Sequence, residues 1–174
     1  IPKKRVLKAI EKFKRVIKKN NSPGVFVLND STIFLNHARE NQHKIRLSRK
    51  NLRNDLDYFM LFRMVNRAAL ETKNWHEFRK KYKSQFRKLI SKEGFFKKLS
   101  IETAKKLSKV TKNNKKITII DTGLQATFAL FIAESIALKY PKIKGNILLF
   151  SSYPWLSQIF ASHMFTDDAS YLVA

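Results

Sequence analysis

The segment Asp121-Thr122-Gly123-Leu124-Gln125-Ala126-Thr127 follows the apolar run Ile117 to Ile120 and opens a second one, Ala126 to Ala133, closed by Glu134. The first run has strand composition and the second suits a mostly buried helix, so the polar residues sit where a strand turns into a helix. Ligands of open parallel sheets bind at the carboxyl ends of strands, and a helix N-terminus offers unpaired amides and partial positive charge to a phosphate. In that setting Asp121 could act catalytically, hold Mg²⁺ or bond a ribose hydroxyl. Gly123 would let backbone approach closely, and Thr122, Gly123 and Thr127 are the expected phosphate contacts. Asp167 and Asp168 could join Asp121 around the cation, since hard cations favour carboxylates. The same residues also suit a plain βα turn in which Asp121 caps the helix, and adjacent aspartates that point apart suit a capped turn of their own.

Part of this segment resembles the phosphate-binding loop of type I phosphoribosyltransferases, through Ile117 to Ile120, Asp121, Ala126 and Thr127. The family usually has two adjacent acids and a Thr-Gly-Gly-Thr type loop, where this chain has Thr122 after Asp121 and Phe128 after Thr127. The position of Asp121 also resembles the strand-end aspartate of haloacid-dehalogenase-like phosphohydrolases. That likeness implies a nucleophile at Asp121, with Ser151 or Ser152 after the next strand as a further phosphate ligand. The family's second aspartate falls on Gly123, so an acid/base partner is missing.

Other chemistries find little support. His37, His43, His76 and His163 show no metal-ligand spacing. There is no phosphate-loop lysine motif, dinucleotide glycine fingerprint or Gly-x-Ser-x-Gly elbow, and four glycines leave little room for one. The absence of cysteine excludes disulfides and thiolate metal sites and favours a reducing, cytoplasmic or other intracellular compartment. The longest apolar run, 126–133, is too short to span a bilayer. Residues 1–20 are charged throughout, unlike a signal peptide. The chain starts at Ile1 without Met and ends on what reads as an unfinished sheet, so the expectation is a fragment of a larger sheet domain.

The positioning elements follow from periodicity. Residues 3–19 read as an amphipathic helix, with Val6, Leu7, Ile10, Phe13, Val16 and Ile17 at spacings of three and four on one face and cations elsewhere. Asn20 to Gly24 break it, and strand, turn, strand over 25–35 predicts a β-hairpin. Three helices follow. The first carries Leu52, Leu56, Phe59, Phe62, Met64 and Val65; the second starts after Asn74; the third has Ser100 as its N-cap and holds Ile101, Ala104, Leu107 and Val110. From 117 a parallel strand-helix-strand unit is expected, with Asn146 to Phe150 as its second strand and a short helix from Trp155 to Met164. The expected fold class is α/β: a basic, mainly helical region over 1–116 with a hairpin near 25–35, then a Rossmann-like unit over 117–174 whose loop at 121–127 faces a ligand cleft.

Charge divides the chain at the same place. Residues 1–116 hold 33 Lys and Arg against 9 acids, and 117–174 hold 3 against 4, so the net +23 splits into +24 and −1. Such an excess fits a polyanionic partner. RNA or DNA backbone contact is assigned to Lys80, Lys83, Arg87 and Lys88, with Trp75, Tyr82 and Phe86 read as a core stripe because they lie seven and four apart. Two function classes follow: nucleic-acid binding, or an enzyme of phosphoribosyltransferase or phosphohydrolase type acting on a phosphorylated nucleotide or sugar.

Overall fold

The computed structural model describes residues 3–19, 22–27, 42–121 and 126–149. In chain order it holds α1 (Lys3–Lys19), β1 (Gly24–Val27), β2 (Gln42–Ile45), a 3-10 turn at Arg49–Asn51, α2 (Asp55–Leu70), α3 (Trp75–Ser91), α4 (Phe95–Lys106), α5 (Ser108–Asn113), β3 (Lys116–Asp121), α6 (Thr127–Lys139) and β4 (Lys144–Leu149). The protein is α/β, with a helical N-terminal part and a strand-helix-strand unit.

Local chemistry sets most helix starts. Asn54 and Asn74 each accept the amide of the residue three further on, Asp57 and Glu77, at 3.0 Å, so both act as N-caps. Ser48 and Asn51 bond reciprocally around the 3-10 turn. Gly94 precedes α4 at φ 148°, a backbone conformation that a side chain would strain. Ser100, expected as an N-cap, lies inside α4, where its buried hydroxyl donates to that of Ser135 on α6 at 2.9 Å. Val110 belongs to the separate short helix α5.

The four strands form one all-parallel sheet in the order β2-β1-β3-β4. In register, Val25 stands beside His43 and Ile119, and Ile119 beside Ile147. Alternation then assigns the faces. Val25, Val27, Ile45, Ile117, Ile119 and Ile147 join α2, α3, α4 and α6 in the larger core, while Phe26, Ile120 and Leu148 meet Phe13 and Ile17 of α1 on the other side. This makes three layers, α1, the sheet, and α2 to α6.

The connections explain the layering. From β2 past β1 to β3, and from β3 to β4, the chain moves across the sheet in one direction. Right-handed crossovers put both sets of connecting helices on one face, where α2 to α6 lie. From β1 to β2 the chain moves the other way.

Both edges of β1 carry parallel partners, so this strand is not one arm of the expected hairpin. The expected second arm, Ile33 to Leu35, lies outside the described residues. β2 is a strand that the sequence analysis does not predict, although exposed Lys44 and Arg46 alternate with buried Ile45 and Leu47. The charge boundary at 116 is not a boundary of the sheet, since β1 and β2 pair directly and through β3 with β3 and β4.

Candidate functional site

The sheet order creates one privileged place. The order in which strands are added reverses between β1 and β3, and in open α/β sheets the crevice beyond the carboxyl ends of two such strands is where ligands bind. Asp121 is the last residue of β3 and is buried. Thr127, also buried, is the first residue of α6. The residue before it, Ala126, adopts the left-handed conformation at φ 55° with no side-chain cap on the helix. A non-glycine residue held there is strained by about 1–2 kcal/mol, and such strain gathers at functional turns. Asp121 is therefore not the N-cap of α6. Thr122, Gly123, Ser151, Ser152 and Asp168 lie outside the described residues. Among the described residues, no three His, Asp or Glu side chains gather as a metal site.

A cavity of about 40 Å³ lies elsewhere, between α6 and the β3–β4 half of the sheet. Ile117, Ile119, Ile147 and Leu130 give it apolar walls, and Arg79 and Glu134 give it a charged corner; neither Asp121 nor Thr127 lines it. It has room for about one water molecule.

Glu134 carries the main buried charge of that corner. Burial pushes its carboxyl above the ordinary range, opposed by Arg79 and then by Lys83 and Arg87. Arg79 approaches to 3.7 Å, and Lys83 and Arg87 follow it at four-residue spacing along α3. The same burial, helped by the charge of Glu134, raises the pKa of the Tyr82 hydroxyl. The expected nucleic-acid set therefore divides. Lys83 is half-buried and Arg87 exposed, both within electrostatic reach of Glu134, while Lys80 and Lys88 are exposed and act on no buried acid among the described residues. Tyr82 and Phe86 are core residues, at 1% exposure each. The signal for the Arg79–Glu134 pair was the acidic residue closing an apolar run.

Among the described residues, two faces carry positive charge without equivalent acids. On α1, Ile10, Phe13, Val16 and Ile17 turn to the sheet, while Lys4, Lys8, Lys12, Arg15 and Lys19 form an exposed stripe on the opposite side. Its ends are about 22 Å apart along the helix axis. The one acid of this helix, Glu11, pairs with Lys14 at 2.9 Å. On the opposite layer, Lys80, Lys88, Lys98, Lys105 and Lys109 of α3 to α5 are exposed. Several acids of the helical layer are held locally: Asp57 by Arg53, Glu71 by Arg67 and Lys81, Glu93 by Lys97.

Among the described residues, no helix is long and apolar enough to cross a membrane. Comparison of the chain with protein-family models, with curated protein sequences and with solved structures gives no match.

Proposed function

We propose that the protein binds a polyanion, RNA or DNA, through backbone phosphates. The observation that carries this reading is the stripe of Lys4, Lys8, Lys12, Arg15 and Lys19 on α1. A basic amphipathic helix can instead lie in a membrane surface, but that requires an apolar face free to enter lipid. Here Phe13 and Ile17 are spent on the sheet, at 0% and 3% exposure, and Leu7 is the one large apolar side chain exposed among the described residues of α1, too little to enter lipid beside the cations. Phosphate contact needs nothing more.

The test is a titration of labelled RNA and DNA across a salt series. Binding should weaken steeply, with about −0.9 in the log–log slope per duplex phosphate neutralised and about −0.7 on single strands. Alanine at Lys8, Lys12, Arg15 and Lys19 together should reduce the slope by about three units and leave the circular dichroism unchanged, because exposed lysines contribute little to stability. Replacement of Lys80, Lys83, Arg87 and Lys88 should have the smaller effect, since Lys83 and Arg87 also act electrostatically on the buried Glu134. Absence of binding at low salt removes the proposal.

The reversal of strand order between β1 and β3 favours a second reading, a phosphorylated nucleotide or sugar, with or without Mg²⁺, at Asp121 and Thr127. The strained Ala126 supports it. In a thermal-shift panel of nucleotides, phosphoribosyl pyrophosphate and divalent cations, a ligand at a hundred times its Kd stabilises by about 2.7 kcal/mol. The wild type should respond and Asp121→Asn should not. A panel without response leaves 121–127 as a βα turn.

A further inference from the structure

Helix α2 is apolar on the side that faces away from the core. Its inward residues are Leu61, Val65, Ala68 and Ala69. Leu56, Phe59, Met60, Arg63, Arg67 and Leu70 recur at three- and four-residue spacing on the opposite face, and all six are exposed. Leu56 is 75% exposed, Phe59 52% and Met60 39%. Single exposed apolar residues are ordinary, but three that adjoin on one helical turn form a contact patch.

We infer that this face is an interface between two copies of the chain, paired by a two-fold axis that sets the α2 helices antiparallel. Charge selects this occupant. The chain carries +23, so most approaches of one copy to another are repelled, and an acidic partner would be drawn to the cationic faces of α1 and α3 to α5. Helix α2 balances Asp55 and Asp57 with Arg63 and Arg67, which makes it neutral. It is where two copies meet at least electrostatic cost. A two-fold contact must also be complementary to itself. When Leu56, Phe59 and Met60 of one helix meet the same residues of an antiparallel copy, the Asp55 end of each comes opposite the Arg63 part of the other. Asp55 and Arg63 are exposed and enter no ion pair within the chain among the described residues.

Sedimentation equilibrium of the whole chain from low micromolar to about 100 µM, in 0.15 M and 1 M salt, tests the interface. A dimer is expected, and it should tighten in high salt, where the screening length falls from about 8 to about 3 Å. Nucleic-acid binding has the opposite salt dependence, so either idea can fail without the other. Phe59→Glu should weaken dimerisation at least about tenfold while the melting curve of the monomer is retained. Asp55→Arg and Arg63→Asp should each weaken it, and the two together should restore it in part. The interface is refuted by a monomer at the highest concentration in both salts, or by a dimer indifferent to Phe59→Glu. A Phe59→Glu monomer that melts well below a monomeric wild type would show the face covered by the chain itself. Loss of RNA affinity in Phe59→Ala without change of mass would make Phe59 a base-stacking platform instead; either result overturns the dimer.

Discussion

Phe131→Ala lowers the unfolding free energy by about 3–5 kcal/mol, a large part of the stability of an ordinary domain. Phe131 is fully buried on α6 and meets Phe86 of α3 edge to face, with ring centroids 5.4 Å apart and planes at 73°. Removing either ring leaves a void that the sheet on one side and the helices on the other cannot close by small shifts. Denaturant titration should show a lower midpoint with little change in slope. Phe86→Ala should cost a similar amount, and the double variant should cost less than the two together by about 0.5–1.5 kcal/mol, the coupling typical of an aromatic pair. Strict additivity would mean that the rings do not meet. A loss under about 1 kcal/mol for either single variant would remove this packing from the core.

Arg79→Ala destabilises by about 3 kcal/mol at pH 8, because a buried carboxylate loses its nearest counter-charge. The loss sits at the low end for a buried pair, since Lys83 and Arg87 still act on Glu134 and Arg79 is itself 31% exposed. The dependence on pH has a definite sign. Burial raises the folded pKa of Glu134 above its ordinary value of 4.5, so between the two values the folded chain holds the proton more readily than the unfolded chain. Stability with respect to this group is therefore greatest below about pH 4.5 and falls as pH rises through the folded pKa. Arg79→Ala removes the largest opposing influence and moves that fall to higher pH. Glu134→Gln should abolish the group's pH dependence, and in the Arg79→Ala background it should restore most of the stability at pH 8. Urea titrations at pH 4 and pH 8 measure both effects. An Arg79→Ala penalty equal at the two pH values would show that Glu134 is not the partner.

The patch on α2 and the Arg79–Glu134 corner lie on different parts of the helical layer, so their variants report independently. Phe59→Glu changes an exposed position and should leave the pH dependence intact. Arg79→Ala changes the flank of α3 that faces α6 and should leave the oligomeric state intact. Neither touches the α1 stripe on the other face of the sheet.

Sequence alone determined what depends on neighbours within a turn or two. The Ile10, Phe13, Val16 and Ile17 part of the apolar face of α1, the helix start after Asn74, the core stripe of Tyr82 and Phe86 and the strand run from Ile117 to Ile120 are local patterns, and each lies where it was expected, whereas Leu7, expected on the same face of α1, is exposed. Charge segregation was equally plain, being composition. Partners remote along the chain were not legible. Leu56 and Phe59 share the helical period of Leu61 and Val65, and only the packing of α2 against α3 and α6 separates an inner from an outer face. The hydroxyl of Ser100 has the chemistry of a cap but meets Ser135, which lies 35 residues away. Whether β1 turns back on itself or takes parallel neighbours is a choice between a short loop and long crossovers. Burial of the whole sheet between α1 and α2 to α6 makes that choice, and it is this same arrangement that puts Asp121 and Thr127 where the strand order reverses. A one-dimensional pattern fixes which side of an element is apolar; only the three-dimensional contacts fix what that side touches.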